Sequence, residues 1–532
     1  MCGIVGYVGD EECAPILLDG LKRLEYRGYD SAGTAIYDGE GIRVVRAVGK
    51  LRNLEKAIEE KKPTGQIGIG HTRWATHGRP SEVNAHPHFI GGVAVVHNGI
   101  IENHLSLRAR LEERGAKMIS DTDTEIVAHL IDQQVKEGHD IETAVRKALS
   151  EVHGAYALAV TKDEAAVTTL EGEAVDRAPR HIDWSPVMAE KAGYKHFMLK
   201  EIHEQPRAME DTLRGRLDRE NGDINGHEIG LSEEDAKGLS RVYLLACGTS
   251  HHAAMTGRYF LEKLAKIPTT VELASEFRGR MPIIGEGDLV VAVSQSGETL
   301  DTLVAAKEAK EHGAKVLAIA NVIGSAIPRM SDAAFYTHAG PEIGVASTKC
   351  FTTQIVNLLM LSIWLGRRRG VLSPEDTGAL VEDMARLPHL MRDVLLGTRQ
   401  LVANLAKRYS EARDVLFLGR GLNFPIALEG ALKLKEISYV HAEGYAAGEV
   451  KHGPNALIDS NVPVLVLAPK DSWYERTLSN LQEAKAREAQ VIAVATEGDE
   501  DARDVAHDLV EIPPVRDELT PRSEEHTSEL QS

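Results

Sequence analysis

The sequence predicts an α+β N-terminal domain followed by two doubly wound α/β lobes, and three observations carry that prediction. The chain has 532 residues, enough for three or four folded units at roughly 150 residues each. Its second half repeats itself: Arg241-Val-Tyr-Leu-Leu matches Asp414-Val-Leu-Phe-Leu at an offset of 173, and Asp288–Val293 matches Asn461–Val466 at the same offset. Ala314–Ala320 matches Ala489–Ala495 at 175. Each copy reads as an apolar strand, a small-residue turn, a helix, a second apolar strand, another helix and a third strand. Continuous apolar strands alternating with helices mean a parallel sheet covered on both faces.

The first 160 residues have a different rhythm. Short β-branched runs at Ile67–Ile69, Val93–Val96 and Tyr156–Val160 surround a helix-like stretch at Asp123–Glu137, the pattern of an α+β sandwich. From Asp183 to about Arg241 the chain turns polar and helical and carries Gln205-Pro206, which reads as a connector on a domain surface. The expected domains are therefore 1–182, a connector 183–240, lobes 241–380 and 381–520, and a tail 521–532.

With 43% hydrophobic, 27% charged and 5% aromatic residues, the composition is that of a soluble globular protein. A formal charge of −19 argues against nucleic acid or an anionic membrane as the partner. Nine of those net charges fall between Glu497 and Ser532, so the body is milder than the total. Cys2, Cys13, Cys247 and Cys350 form no CxxC pair and are too sparse for a disulfide framework, which points to a reducing, cytoplasmic setting. The N-terminus lacks a basic segment followed by an apolar one. The longest apolar run, Ile355–Leu365, is too short to span a bilayer and reads as a buried helix.

Ligands of doubly wound sheets bind beyond the carboxyl ends of the strands, so the strand-to-helix turns come next. The first lobe carries Cys247-Gly248-Thr249-Ser250 and Ser294-Gln295-Ser296-Gly-Glu-Thr299; the second has only Gly419-Arg-Gly at the matching place. Hydroxyls and glycines at a helix start offer N–H groups, O–H donors and the positive dipole end to a phosphate dianion. Simple N-capping explains one such turn, but two in one lobe, absent from its repeat, favour a phosphate cradle. Glu429, Lys433 and Glu436 share one helix face. On a solvated face they are only an ion-pair ladder; facing a cleft, a carboxylate there could move a proton between adjacent sugar carbons. His452 could supply a second acid or base.

At the N-terminus, removal of Met1 would leave Cys2 with a thiol beside a free α-amine, nucleophile and base in one residue. Arg73, Trp74, Thr76, His77, Asn98, Gly99 and Asp123 are the polar candidates to complete that site: Arg73 for a carboxylate, Asp123 for an ammonium, Asn98 and the Gly99 N–H for an oxyanion. Six histidines lie between His71 and His104, and a metal site is set aside because they fall in strands and turns of mixed facing, without tight Cys or acidic spacing.

Glu25-Tyr-Arg-Gly-Tyr-Asp-Ser-Ala-Gly, His71-Thr-Arg-Trp-Ala-Thr-His-Gly, Ser294-Gln-Ser-Gly-Glu-Thr and Ala431-Leu-Lys-Leu-Lys-Glu-Ile together resemble the glutamine–fructose-6-phosphate aminotransferase family. The resemblance implies a class II glutaminase of the N-terminal nucleophile fold, followed by two sugar isomerase (SIS) lobes, and a reaction without metal or organic cofactor. It implies that Cys2 attacks the glutamine amide while Arg73, His77, Gly99 and Asp123 hold the substrate, with Trp74 gating an ammonia channel. It places the phosphate of fructose 6-phosphate on Ser250, Ser294, Gln295, Ser296 and Thr299, with Val345 and Ser347 near the sugar. Glu436 would move the proton between C1 and C2, Lys433 would assist, and His452, donated across a homodimer interface, would open the ring.

Two departures qualify that picture. Lys162-Asp-Glu-Ala-Ala runs almost directly into Val167-Thr-Thr-Leu-Glu-Gly-Glu, so the sandwich is expected to be shortened near residue 165, with apolar faces and unpaired edges. The family's C-terminal tail with its imine-forming lysine has no counterpart. Arg522–Ser532 instead resembles the conceptual translation of a sequencing adapter and is expected to be an artefactual, disordered end. The expected function is transfer of the glutamine amide nitrogen to fructose 6-phosphate with isomerisation. The alternatives are an inactive phosphosugar-binding protein and an uncoupled glutaminase.

Overall fold

The computed structural model describes residues 3–25, 28, 30–75, 77–153, 173 and 191–524. The chain divides into two compact units, 1–181 and 182–532. Cys2, Thr76, Tyr156–Val160, the junction at 162–173 apart from Glu173, and the end of the tail lie outside the described residues.

In the first unit, β1 (Gly3–Val8), β2 (Ser31–Tyr37), β3 (Ile42–Val48) and β4 (Ile67–Arg73) form an antiparallel sheet in the order β1-β4-β2-β3. Helices α1 (Cys13–Leu24) and α2 (Leu51–Lys61) cover one face. The alternation of the strands decides which side chains meet them: Ala32 and Ile36 join Leu17, Leu21, Leu54 and Ile58 in one core. Gly68 and Gly70 let the leucines of α1 approach, since a Cβ at either would lie 2.9 Å from Leu17 or Leu21. A two-stranded sheet of β5 (His88–Ile90) and β6 (Val93–Val95) packs with α3 (His104–Glu113), α4 (Thr124–Lys136) and α5 (Ile141–Ser150) around Ile101, Leu111, Ile126 and Leu130. Ile4 and Ile67 on the four-stranded sheet are each 44% exposed.

The second unit opens with α6 (Phe197–Leu213), the hairpin of β7 (Leu217–Asp218) and β8 (Asp223–Ile224), and α7 (Glu233–Gly238). This stretch is more deeply seated than a surface connector: Met198, Glu201, Ile202, Gln205 and Met209 are all buried.

The first lobe then follows as β9 (Arg241–Ala246), α8 (Gly248–Phe260), β10 (Thr269–Leu273), α9 (Ala274–Arg280), β11 (Asp288–Ser294), α10 (Leu300–Glu311), β12 (Lys315–Ala320), α11 (Ala326–Met330), β13 (Ala333–Ala334) and α12 (Lys349–Arg368). Its sheet is parallel in the order β10-β9-β11-β12-β13. After α13 (Pro374–Arg408), the second lobe runs β14 (Asp414–Gly419), α14 (Asn423–Ser438), β15 (His441–Ala446), β16 (Pro463–Ala468), α15 (Tyr474–Lys485), β17 (Gln490–Thr496), α16 (Glu500–Val505) and β18 (Asp508–Ile512). Its order, β15-β14-β16-β17-β18, reproduces that of the first.

The apolar strands are buried on both faces, as their lack of alternation requires. In the first lobe Leu244, Val291 and Leu317 point to one core while Leu245, Val290 and Val316 point to another. The first of these cores continues through α12 and α13 into Phe417, Leu465 and Val510, so the two lobes share it. Each Leu or Phe sealed there contributes about 1.5–3 kcal/mol. Ile355–Leu365 lies within α12 and is buried throughout. The boundary expected at 380/381 falls inside α13, a single 35-residue helix. At the C-terminus a 3-10 segment, Asp517–Glu524, enters the stretch expected to be a tail. Among the described residues, no helix is long and apolar enough to cross a membrane.

Candidate active site

The sheet order places the first lobe's two hydroxyl-rich turns side by side. β9 and β11 are neighbours, and the chain leaves them in opposite directions across the sheet, so their carboxyl ends flank the crevice in which such folds bind ligands. Cys247–Ser250 leads from β9 into α8, with Gly248 at φ +54°. Ser294–Thr299 leads from β11 into α10, with Gly297 at φ +65°, where a Cβ would sit 1.9 Å from Oγ of Ser325. Glycine is therefore required at Gly297 by conformation and by space.

Inside the second turn the hydroxyl of Ser294 accepts the Gly297 amide (3.0 Å) and lies 3.0 Å from that of Thr299. Ser296 accepts the Glu298 amide (3.2 Å). Gln295 and Ser296 are half-buried at the mouth, while Ser250, buried, accepts from Nε2 of Gln354 on α12 (3.0 Å). Two helix N-termini and the hydroxyls of Ser250, Ser294, Ser296 and Thr299 thus lie at the carboxyl ends of two neighbouring strands. The second lobe differs here. At its matching turn the indole of Trp473 stands against Gly421, with the Arg420 and Arg476 guanidinium groups 5.6 and 5.5 Å from its ring.

Across the contact between the lobes, α14 of the second meets α8 of the first. Glu429 and Lys433 are wholly buried, which excludes a solvated ion-pair ladder. The Thr249 hydroxyl donates to Oε1 of Glu429 (2.8 Å) and accepts from Nζ of Lys433 (3.0 Å). Nδ1 of His252 lies 2.6 Å from Oε2 of Glu429. Lys433 also pairs with Glu429 at 3.2 Å and with Glu436 at 2.7 Å. Burial alone would depress the Lys433 ammonium, but Glu429 and Glu436 hold its pKa above the ordinary lysine value. Burial would likewise raise the Glu429 carboxyl, and Lys433 and His252 more than offset it, so it stays ionised. Glu436, with its side chain 36% exposed, is the member of the chain that reaches the surface.

Of the remaining expected residues, Val345 is exposed and Ser347 donates to Oε2 of Glu342 (2.8 Å) in the loop before α12. His452 is exposed in a 3-10 segment after β15. His252 and Glu342 had no signal in the sequence, because the partners that reveal them are distant in the chain or are backbone amides.

In the first unit, the Arg73 side chain is buried and donates to the carbonyls of His77 and Gly78. Trp74 is 41% exposed. Gly28, from the Glu25–Gly33 motif, packs so tightly on this loop that a Cβ would lie 2.6 Å from the Arg73 carbonyl carbon. Asp123 is buried, and its Oδ2 accepts the Ile101 amide (2.9 Å), so it supports the exposed Asn98-Gly99 turn from behind. The histidines turn inward: the rings of His71 and His86 lie 4.3 Å apart, and those of His86 and His88 4.8 Å. Burial lowers all three, His71 to about 3 and His88 to about 4. Among the described residues no group of His, Cys, Asp or Glu is placed to hold a metal ion.

The SIS domain model matches residues 238–363 and 408–520, and a glutamine amidotransferase domain model matches 71–178. Over 98% of its length the chain is 46% identical to glutamine–fructose-6-phosphate aminotransferase (isomerizing) of Thermus thermophilus, with 94% of that protein covered, and 44% identical over the same share to that of Streptomyces coelicolor. The chain belongs to the glutamine–fructose-6-phosphate aminotransferase family. The C-terminal domain of the aminotransferase from Francisella tularensis superposes with a TM-score of 0.61 at 40% identity, covering 64% of this chain and 96% of that one. The Thermus alignment spans 576 positions, whereas 98% of 532 residues is about 521, so about 55 positions of the alignment have no counterpart in this chain.

Proposed function

We propose that this chain transfers the amide nitrogen of L-glutamine to D-fructose 6-phosphate, giving D-glucosamine 6-phosphate and L-glutamate, with the sugar half carried by the cleft between the two lobes. The single observation that carries the reading is the buried chain Glu429–Thr249–Lys433–Glu436, which sets a carboxylate and an ammonium beside the turn that also begins the phosphate cradle.

The phosphate would be received by Ser250, Ser294, Gln295, Ser296 and Thr299 and by the N-termini of α8 and α10, where N–H groups and dipole both favour a dianion. Ammonia adds to the C2 carbonyl of the open-chain sugar, and loss of water leaves a C2 imine. Glu436 then removes a proton from C1 and returns it to C2, so that the C2 imine becomes a C2 amine and C1 becomes the aldehyde. Lys433, held charged and paired with Glu436, would assist by steadying that carboxylate during the transfer. His452, on the surface of its own chain, fits a role in opening the sugar ring in a second copy. Cys2 would release the ammonia, with Arg73, Thr76, His77, Asn98, Gly99 and Asp123 around the glutamine and Trp74 at the exit.

The test measures glutamate release with and without fructose 6-phosphate, alongside amino-sugar formation. Sugar-stimulated release with stoichiometric glucosamine 6-phosphate is expected. Glutamate alone would leave an uncoupled glutaminase, and neither product, with fructose 6-phosphate still raising the melting temperature, would leave a phosphosugar-binding protein.

A further inference from the structure

We propose that Glu201, on helix α6, is a positioning residue that clamps the 342–348 loop in the shape that receives the sugar. The inference rests on the reading of the interlobe cleft given above. Glu201 is 2% exposed. Its Oε1 accepts the amides of Ile343 (2.5 Å) and Gly344 (3.0 Å), and its Oε2 lies 3.1 Å from the same Gly344 amide. Position 344 is shaped around that carboxyl: a Cβ there would lie 2.5 Å from Oε2 and 3.4 Å from the Met198 Cα. From the loop itself, Oε1 of Glu342 accepts the amides of Thr348 (2.8 Å) and Cys350 (3.1 Å), and its Oε2 accepts the Ser347 hydroxyl. Two carboxyl groups therefore grip one short segment, one from a separate helix and one from within.

That segment carries Val345 and Ser347 and runs into α12, whose Gln354 holds Ser250 of the phosphate cradle. Any shift of the loop is passed to the sugar subsite and to one cradle hydroxyl together. The charged groups around Glu201 are Glu342, Lys349 and the pair Lys200 and Glu204, with the buried Cys350 thiol beside them. Lys349, the nearest cation, is already engaged by Glu204 at 2.7 Å, and Lys200 lies 3.4 Å from the same carboxylate. The pocket thus has little positive charge to spare for a second anion. Burial first, and the Glu342 charge second, push the Glu201 carboxyl up to about 8. Below that pH the Glu201 carboxyl is neutral beside Glu342 and the loop is held; above it a second negative charge is confined there and the loop is pushed away.

The test is calorimetric titration of the full chain with fructose 6-phosphate from pH 7 to 9, a window above the second ionisation of a phosphate monoester at about 6. In the wild type the affinity should fall about fivefold with a midpoint near 8, the scale of a typical coupling between sites. Glu201→Gln, which cannot ionise, should bind with the same affinity across the window. Glu342→Gln should move the midpoint to lower pH, and Gly344→Ala, which displaces the carboxyl, should weaken binding at every pH. A wild-type affinity that does not change, a fall that persists in Glu201→Gln, or a midpoint unmoved in Glu342→Gln would each overturn the clamp while leaving the sugar site standing. Absence of any binding by the wild type would overturn both.

Discussion

Substitution of Glu429 by glutamine tests whether the lobes are held together by a buried ion network or merely decorated by it. The carboxylate is fully buried and is approached by the Thr249 hydroxyl at 2.8 Å, His252 Nδ1 at 2.6 Å and Lys433 Nζ at 3.2 Å. Glutamine keeps the volume and one acceptor oxygen but turns an NH2 group toward either His252 or Lys433. Removing one member of a buried pair costs about 3–5 kcal/mol; because Glu436 still serves Lys433, the lower figure applies. For a unit of 351 residues, at about 2.1 cal/mol/K per residue, a loss of about 3 kcal/mol lowers the melting temperature by about 4 °C.

Differential scanning calorimetry reads this, with the transition of unit 182–532 identified as the one that fructose 6-phosphate raises. The double variant Glu429→Leu with Lys433→Met, which removes both charges, should recover most of the loss. The pH dependence has a definite sign. The lowered Glu429 carboxyl stabilises fully above the ordinary 4.5 and loses that as pH falls through its folded value. The raised Lys433 stabilises fully below 10.5 and loses that only as pH rises through its own. Above the range in which an unfolded histidine titrates, the gap between wild type and Glu429→Gln should therefore be constant, from about pH 8 to 9. A Glu429→Gln transition within 1 °C of wild type would refute the network as an interlobe clamp.

Three further outcomes are expected. Ser294→Ala removes the acceptor of the Gly297 amide and a partner of Thr299, and should weaken fructose 6-phosphate about tenfold by calorimetry, the equivalent of one hydrogen bond to a charged group. Glu436→Gln should lower amino-sugar formation by about 10²–10⁴-fold while leaving the sugar dissociation constant within about threefold; an equal loss in both would make Glu436 a binding group instead. The buried, depressed histidines His71, His86 and His88 stay neutral in the fold and charge in the unfolded chain, so the stability of the first unit should fall as pH drops below 6.5, continuing toward about 3. Hydrogen exchange at pH 7 and pH 5.5, corrected for the intrinsic rate, should show protection lost in β4 and β5 before it is lost in β11 and β16; equal protection at both pH values would refute this.

The parts of this molecule that could be read from the sequence are those whose cause is local. An offset of 173 aligns Arg241–Ala246 with Asp414–Gly419 as equivalent strands of two identically ordered sheets, because a strand buried on both faces announces itself as a continuous apolar run. The candidate phosphate cradle was legible because its hydroxyls sit in two short strand-to-helix turns, Cys247–Ser250 and Ser294–Thr299, each readable by itself. The shared face of Glu429, Lys433 and Glu436 follows from helix geometry alone, but what that face meets does not: His252 lies 177 residues away in the chain. The grip of Glu201 on Ile343 and Gly344 was invisible for a different reason. A carboxyl group that binds backbone amides asks nothing of its partner's side chain except, at Gly344, that there be none. The lobe boundary expected at 380/381 falls inside α13 because the helix runs on through Gly378, Pro388 and Gly397, its apolar face held by packing that overrides those local breakers. Function in this fold therefore concentrates where local and distant causes meet: a turn that any reader of the sequence would mark, completed by a helix from the other copy of the repeat. The hydroxyl-rich turns of the first lobe and the charged face of α14 from the second meet at Thr249, so in the proposed reaction one lobe would hold the phosphate while the other moves the proton.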